Sequence, residues 1–499
     1  MNRQLALFCD RKGRVVLVLV GTSLGISIPE LGGQPGGGRL RGLRLLHTHL
    51  QEELINEEDL MDLLFLRLDV LAVLSVGMAG EPRTLQYAQL SAEKKDPPCD
   101  ISKALPWDTQ DVSLSEQTEA LEATFTAKCP GREIHGLERA ILVSVSVLPH
   151  AVQEKQLDEL ARLCKTAGID PRARIIQRTA RVNARHILGK GKIAELEVLA
   201  LEHNATTLLF DGELTPAQLH NLADITERRV LDRTQLILDI FAQHAKSKAG
   251  KLQVELAQLR YLQPRLAGKN RAMDRLMGGI GGRGPGETRL ETDRRRNRER
   301  ISFLKRALEE LADTRAHLRK RRKASGLPLV AIVGYTNAGK STLLNTLSSS
   351  HVLAEDKLFA TLDPVARRLR YPSSREILFT DTIGFIRNLP DELLEAFRAT
   401  LDELQDADLL LHLVDAADEN LEQHMASVRE ILGSLELGSL PTLLILNKWD
   451  RLSPAQQASL LAHYPEAIPI SATTRCGLKE LNEHILQRLF RNYTPKNQD

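Results

Sequence analysis

The sequence predicts an α/β protein, on three observations. Short apolar runs alternate with helical stretches over the last third of the chain. A shorter alternation of the same kind precedes position 245, and between the two lies a basic stretch with leucines every three or four residues. The predicted order is an N-terminal mixed α/β extension (1–95), a linker (96–137), a smaller α/β domain (138–245), a helical hairpin (246–326) and a doubly wound parallel-sheet domain (327–499). A chain of 499 residues suits about three domains, and 42% hydrophobic with 26% charged residues excludes wholesale disorder.

In the extension, Val15–Val20 and Val70–Val76 are short apolar runs flanking a glycine-rich stretch from Gly32 to Gly42. Pro97, Pro98, Pro106 and Pro130 among polar residues read as a linker. Ala140–Val147 is a β-branched run, and Leu157, Leu160, Ala161 and Cys164 follow at helical spacing. Arg174–Gln177, Ile193–Leu201, Thr206–Phe210 and Arg229–Leu231 continue the alternation. Leu252, Leu256, Leu259, Leu262 and Leu266, then Ile301, Leu304, Leu308 and Leu311, outline two amphipathic helices. The glycine-rich run 278–286 between them cannot stay helical, so the pair reads as an αα-hairpin with a flexible tip.

Net charge is only +2, but from Lys246 to Lys323 basic residues exceed acidic ones by 14. A basic middle between acidic flanks is the asymmetry expected of a nucleic-acid contact. Cys9, Cys99, Cys129, Cys164 and Cys476 form no C-x-x-C pair, which argues against a disulfide framework or a cysteine zinc site. The best apolar stretch, Leu63–Val76, is broken by Arg67 and Asp69, so no membrane span is expected. A cytoplasmic protein, acting as a monomer, is the expectation, with loose membrane association left open.

Strand-like runs at Leu329–Val333, Glu376–Thr380, Leu409–Val414, Thr442–Leu446 and Ala467–Ile470 carry the chemistry at their ends. Gly334-Tyr335-Thr336-Asn337-Ala338-Gly339-Lys340-Ser341, followed by Thr342, fits G-x-x-x-x-G-K-[ST]. Its backbone N–H groups can cradle phosphates, Lys340 can reach the β- and γ-phosphates, and the Ser341 hydroxyl can ligate Mg²⁺. Asp381-Thr382-Ile383-Gly384 offers a carboxylate for the Mg²⁺ shell and a glycine amide for the γ-phosphate. In Asn447-Lys448-Trp449-Asp450 a carboxylate can accept from guanine N1–H and N2–H₂, a donor pair that adenine lacks. Ser471-Ala472-Thr473 matches the loop that backs the guanine. Phe359-Ala360-Thr361-Leu362-Asp363 places Thr361 as the switch threonine on Mg²⁺. Any one of these could be a turn or a helix cap; five in order read as a P-loop GTPase domain. Lys340, Thr361 and Gly384 are its expected catalytic set, and Ser341 and Thr361 its metal ligands.

Phe385 follows the Asp381 motif, where the Ras-like pattern has a water-orienting glutamine. Slow intrinsic hydrolysis that needs outside help is the inference; packing under the switch, with another group placing the water, is the alternative. Asn337 stands where potassium-stimulated GTPases carry an asparagine, and a plain turn asparagine is equally open.

These motifs, together with Gly-Lys-Gly-Lys at 189–192, Leu238-Asp239-Ile240-Phe241-Ala242 and Gly284-Pro285-Gly286-Glu287-Thr288, closely resemble the HflX family of translational GTPases over Arg139–Arg491. The resemblance implies an α/β N-terminal domain, the helical hairpin and the GTPase domain acting on the large ribosomal subunit. It also implies ribosome splitting, notably under stress, with the hairpin tip reaching ribosomal RNA. The residues agree: Arg283, Arg289, Arg294, Arg295, Arg296 and Arg298 cluster at and beside the tip, and guanidinium groups suit phosphate contact and base stacking. A solvated helix face is the alternative for the Arg294–Arg298 group.

The chain departs from the longer family members in ending soon after Ser471-Ala472 and one helix, and in about 130 additional residues at the front. Among these, His47-Thr48-His49 and then Asp59 faintly resemble JAB/MPN-type metal domains. Without a convincing upstream glutamate, and with Leu50 in place of the motif's proline, polar surface histidines or an inactive relict of that fold are favoured. A ribosome-splitting or rescue GTPase is thus the first expectation. An assembly checkpoint of the large subunit, an RNA-remodelling scaffold with regulatory GTP, and a metallopeptidase confined to the extension remain alternatives.

Overall fold

The computed structural model describes residues 3–490 except 24, 27, 30, 32–39, 51, 78, 92–97, 110–113, 129–137, 186, 227, 266–288, 325, 349–365, 372–374, 383, 388–392 and 394–401. Two units divide the chain, Met1–Arg233 and Thr234–Asp499.

The first unit opens with a seven-stranded mixed sheet: β1 (Leu5–Asp10), β2 (Val15–Val20), β3 (Leu43–Leu50), β4 (Val70–Val76), β5 (Pro82–Leu90), β6 (Cys99–Ile101) and β7 (Leu105–Pro106). Its order is β2-β1-β3-β4-β5-β6, with β7 also on β5. β3 and β4 run parallel, and α1 (Glu57–Phe65) makes the crossover between them. Along β3 the buried positions are Leu45, His47 and His49, the period-two face of a strand. The surface reading of the two histidines is thereby corrected: they are 7% and 3% exposed because they share the inward face with Leu45. Phe8, Leu63, Leu64 and Leu71 fill this core, each such side chain contributing about 1.5–3 kcal/mol of burial free energy. The stretch read as a linker carries β6, β7 and α2 (Leu114–Lys128), and β6 extends the sheet from β5.

The same unit holds a four-stranded parallel sheet of order β11-β10-β8-β9. Its elements are β8 (Glu138–Ser146), α3 (His150–Ala167), β9 (Ile169–Arg178), α4 (Lys190–Glu202), β10 (Thr207–Phe210), α5 (Pro216–Ile225) and β11 (Arg229–Asp232). β8 and β10 are buried runs because helices cover parallel strands on both faces. Pro171 sits at a register shift on the edge strand β9, where a missing N–H is tolerated.

In the second unit, α6 (Arg233–His244) leads to α7 (Lys248–Leu262) and α8 (Arg289–Ala324). α7 and α8 pack together, with Leu304 fully buried and Arg300 gripping Glu255 through Nε and Nη2 at 2.6 and 2.8 Å. The predicted glycine-rich tip, with Arg283, lies outside the described residues.

A six-stranded sheet follows: β12 (Leu329–Val333), β13 (Ala366–Tyr371), β14 (Arg375–Asp381), β15 (Leu409–Asp415), β16 (Thr442–Asn447) and β17 (Ile468–Pro469). The order is β13-β14-β12-β15-β16-β17, parallel except for the antiparallel edge strand β13. α9 (Lys340–Ser348), α10 (Leu421–Ser434), α11 (Pro454–His463) and α12 (Leu478–Leu489) complete the α/β fold that the sequence predicts. Val330, Ile332, Leu411, Leu413 and Ile445 form its core with Leu481 and Ile485 of α12. Among the described residues, no helix is long and apolar enough to cross a membrane.

Candidate functional site

Ligands of open parallel sheets bind at the carboxyl ends of the strands. There β12 runs into the Gly334–Ser341 loop, β14 ends on Asp381, β15 on Asp415, β16 on Asn447, and Ser471 follows β17. The loop turns into α9 at Lys340, so its N–H groups stand at a helix N-terminus. Asn337 adopts the left-handed region (φ 62°), which asparagine tolerates well. Gly339 is at φ 94°, and a Cβ there would collide with Asn447 Nδ2. Only glycine lets the two motifs approach this closely.

Lys340 is 7% exposed, and its Nζ donates to the carbonyls of Gly334 (3.1 Å) and Tyr335 (2.9 Å). Burial pushes its ammonium down to about 8, with the Asp381 carboxylate acting the other way. Ser341 Oγ donates to Asp381 Oδ2 at 2.7 Å. A hydroxyl and a carboxylate side by side are the hard oxygen donors that a small divalent cation or its water shell prefers, so this pair fits Mg²⁺.

The loop after β14 is tied to the phosphate loop by its backbone. Phe385 N donates to Gly334 O at 3.1 Å, and Thr336 N donates to Phe385 O at 2.8 Å. Phe385 itself is 1% exposed, so its side chain packs inside and presents nothing to a water molecule. Thr382 Oγ1 is anchored on Ile332 O at 2.7 Å. A Cβ at Gly384 would lie 2.9 Å from Thr336 Cγ2 and 3.2 Å from Lys340 Nζ, which keeps this position bare beside the lysine.

The base-side loops meet through Asn447. Its Nδ2 donates to Ala338 O at 2.7 Å and its Oδ1 accepts from Ala472 N at 3.0 Å. Trp449 N donates to Ile470 O at 3.1 Å, and Thr346 Oγ1 to Ala472 O at 2.9 Å. Ser471 is fully buried, Thr473 is exposed, and the Asp450 side chain is exposed at the mouth of these loops.

Of the residues expected from sequence, the structure brings together Gly334–Thr342, Asp381, Thr382, Gly384, Asn447–Asp450 and Ser471–Thr473. Phe359, Ala360, Thr361, Leu362, Asp363 and Ile383 lie outside the described residues. Sequence reasoning missed Asp415, whose Oδ2 accepts from Lys448 Nζ at 2.7 Å and so steadies a lysine held at φ 61°. Its signal was available: an aspartate closing an apolar strand at the ligand end of the sheet. It also missed His424 of α10, stacked on Tyr335 with centroids 3.8 Å apart, and the Tyr335 hydroxyl, which accepts from Arg387 N at 2.8 Å.

On α8, Arg295, Arg296 and Arg298 are exposed and Arg294 is half-buried, while the Arg289 side chain is not described. Arg295 faces Glu299 at 3.8 Å.

The chain matches three family models: GTP-binding GTPase N-terminal over 154–242, GTP-binding GTPase Middle Region over 244–322, and 50S ribosome-binding GTPase over 329–448. It is 47% identical over 354 residues to GTPase HflX of Caldanaerobacter subterraneus subsp. tengcongensis, covering 71% of this chain and 81% of that protein. With GTPase HflX of Escherichia coli the identity is 42% over 357 residues, covering 70% and 83%. The solved SsGBP–GDP complex aligns over 71% of this chain and 99% of its own, at 26% identity and TM-score 0.42.

Proposed function

The chain belongs to the HflX family of GTPases, and on that premise we propose that it hydrolyses GTP with Mg²⁺, binds the large ribosomal subunit and splits ribosomes into subunits. The observation that carries the nucleotide part is the convergence of the Gly334–Ser341 loop, Asp381, Asn447–Asp450 and Ser471–Ala472 at one end of one sheet. The ribosomal part is supported by the 50S ribosome-binding family match and by the exposed arginines of α8.

Each group has work suited to its place. The loop amides and the Lys340 ammonium bind the β- and γ-phosphates, and the Asp450 carboxylate takes the two guanine donors. With ATP in the site those oxygens would lose their partners, which is the source of selectivity. Ser341 and Asp381, with Thr361 from the switch segment, would hold Mg²⁺, which supplies neutralisation of the phosphate charge. The Gly384 amide meets the γ-phosphate, and the Phe385 backbone relays its position to Gly334 and Thr336. GTP thus orders the switch and the state of higher ribosome affinity; hydrolysis loosens it and releases the factor. Since the Phe385 side chain is buried, water is placed by another group, and turnover is slow until the ribosome supplies or orders that group.

Gradient sedimentation tests the splitting step. Intact ribosomes given the protein and GTP are expected to convert to subunits. Intact ribosomes left whole, with the protein riding only on large-subunit precursors, would establish the assembly role instead.

A further inference from the structure

A second site lies in the first unit, in residues that GTP chemistry does not use. β3 places His47 and His49 on its buried face, two residues apart. α1 begins beneath them, and its cap is reciprocal: Asn56 Oδ1 accepts from Glu58 N (2.9 Å) and Asp59 N (3.1 Å), while Asp59 Oδ2 accepts from Asn56 N (2.8 Å). That cap occupies one carboxylate oxygen and aims the other, Oδ1, at the histidines, 3.2 Å from His47 Nε2 and 3.4 Å from His49 Nε2. All three residues are buried, with Asp59 only 4% exposed.

The proton inventory makes this arrangement informative. His49 Nδ1 lies 3.2 Å from the Leu54 carbonyl, which can only accept, so Nδ1 carries the proton. In the neutral ring, Nε2 then turns a lone pair toward an oxygen that also has only lone pairs. His47 Nε2 is likewise buried and makes no well-aligned hydrogen bond. Lone pairs converging out of water repel unless a proton or a cation sits among them. Four-coordinate zinc, with bonds of about 2.0–2.1 Å, holds its ligand atoms about 3.3 Å apart. The two nitrogen–oxygen edges, 3.2 and 3.4 Å, are near that spacing, and the three residues' donor atoms all lie within 4.8 Å of one another, close enough for one ion to draw them together. The Nδ1–carbonyl bond is also the outer contact that metal-bound histidines usually make.

We propose that His47, His49 and Asp59 bind a divalent transition-metal ion of zinc's class through two imidazole nitrogens and one carboxylate oxygen. The three protein ligands leave the fourth position to water or an exogenous ligand, the pattern of open rather than closed zinc sites. None of the three residues takes part in the GTP chemistry proposed above, so loss of the site is expected to leave GTP turnover unchanged.

The full chain, stripped with chelator, is incubated with zinc alone, freed of unbound ion and assayed for metal, beside His49→Gln and Asp59→Asn. Asparagine at 59 can still accept from Asn56 N, so the helix cap and the fold survive that change. The expected content is about one equivalent in the parent and below about 0.2 in either variant, with GTP turnover equal in all three. Equal zinc in the parent and Asp59→Asn, or none in a parent with normal circular dichroism, overturns the proposal. Cobalt in place of zinc gives a readout that needs no variant: the visible absorption of a four-coordinate ion is expected, and the spectrum of six-coordinate aqueous cobalt contradicts it.

Discussion

Asn447 donates its Nδ2 to the carbonyl of Ala338, 2.7 Å away and 109 positions earlier in the chain. Through Oδ1, which accepts from Ala472 N, the same side chain also holds the base-backing loop. One amide therefore sets the distance between the phosphate end and the guanine end of the site.

Asn447→Ala leaves a buried carbonyl and a buried N–H without that partner, at about 1–3 kcal/mol each. Asn447→Asp is predicted to be worse, because it points a second acceptor at the Ala338 carbonyl. Urea unfolding of this unit, followed by Trp449 fluorescence in a Trp107→Phe background, should show the order parent, alanine, aspartate. GTP affinity should fall at least about tenfold in both variants.

Asp450→Asn exchanges an acceptor for a donor where guanine presents N2–H₂. GTP binding is predicted to weaken about thirtyfold, the equivalent of about 2 kcal/mol for a charged hydrogen bond. Xanthosine triphosphate, with a carbonyl at that position, should regain affinity. Titration with both nucleotides checks the pair of signs.

Lys340 titrates near 8 in the free protein because burial disfavours its charge, and bound phosphates raise that value. Binding therefore takes up a proton above about pH 8, and affinity falls as pH rises. The GTP dissociation constant should climb about tenfold between about pH 7 and pH 9. A Lys340→Ala variant, weaker throughout, should lack this pH dependence in isothermal titration.

His412 lies in the central strand β15 at 4% exposure, and burial, with Arg429 adding to the effect, pushes its imidazole down to about 4. In the unfolded chain it takes a proton near 6.5, so between those values the unfolded state binds more protons and stability falls as pH falls. The loss on going from about pH 7.5 to pH 5 is on the order of 2 kcal/mol. His412→Leu should remove that part of the acid sensitivity, measured as the difference in urea midpoint between the two pH values.

The nucleotide-binding sheet was largely legible because parallel strands buried on both faces are written as mainly apolar runs, and β12 and β16 end on motifs, whereas β15 carries His412 within its run and ends on the lone Asp415. β13 was not: its Arg368 and Arg370 face solvent and pair with Glu376 across the edge, leaving too few apolar positions to show a period. α2 escaped notice for a similar reason, since its residues are mostly polar and prolines flank it. His47 and His49 share a period with Leu45, but hydropathy counts them as polar and so reads a buried face as an exposed one. Burial of a polar side chain depends on partners such as Asp59, which the fold brings near and spacing alone does not show.

The direct test of nucleotide-gated ribosome binding is the affinity of the full chain for purified large subunits, with a non-hydrolysable GTP analogue and with GDP, over a salt series. Binding at least about tenfold tighter with the analogue is predicted, weakening in both states as salt rises. Equal affinities with the two nucleotides would contradict it.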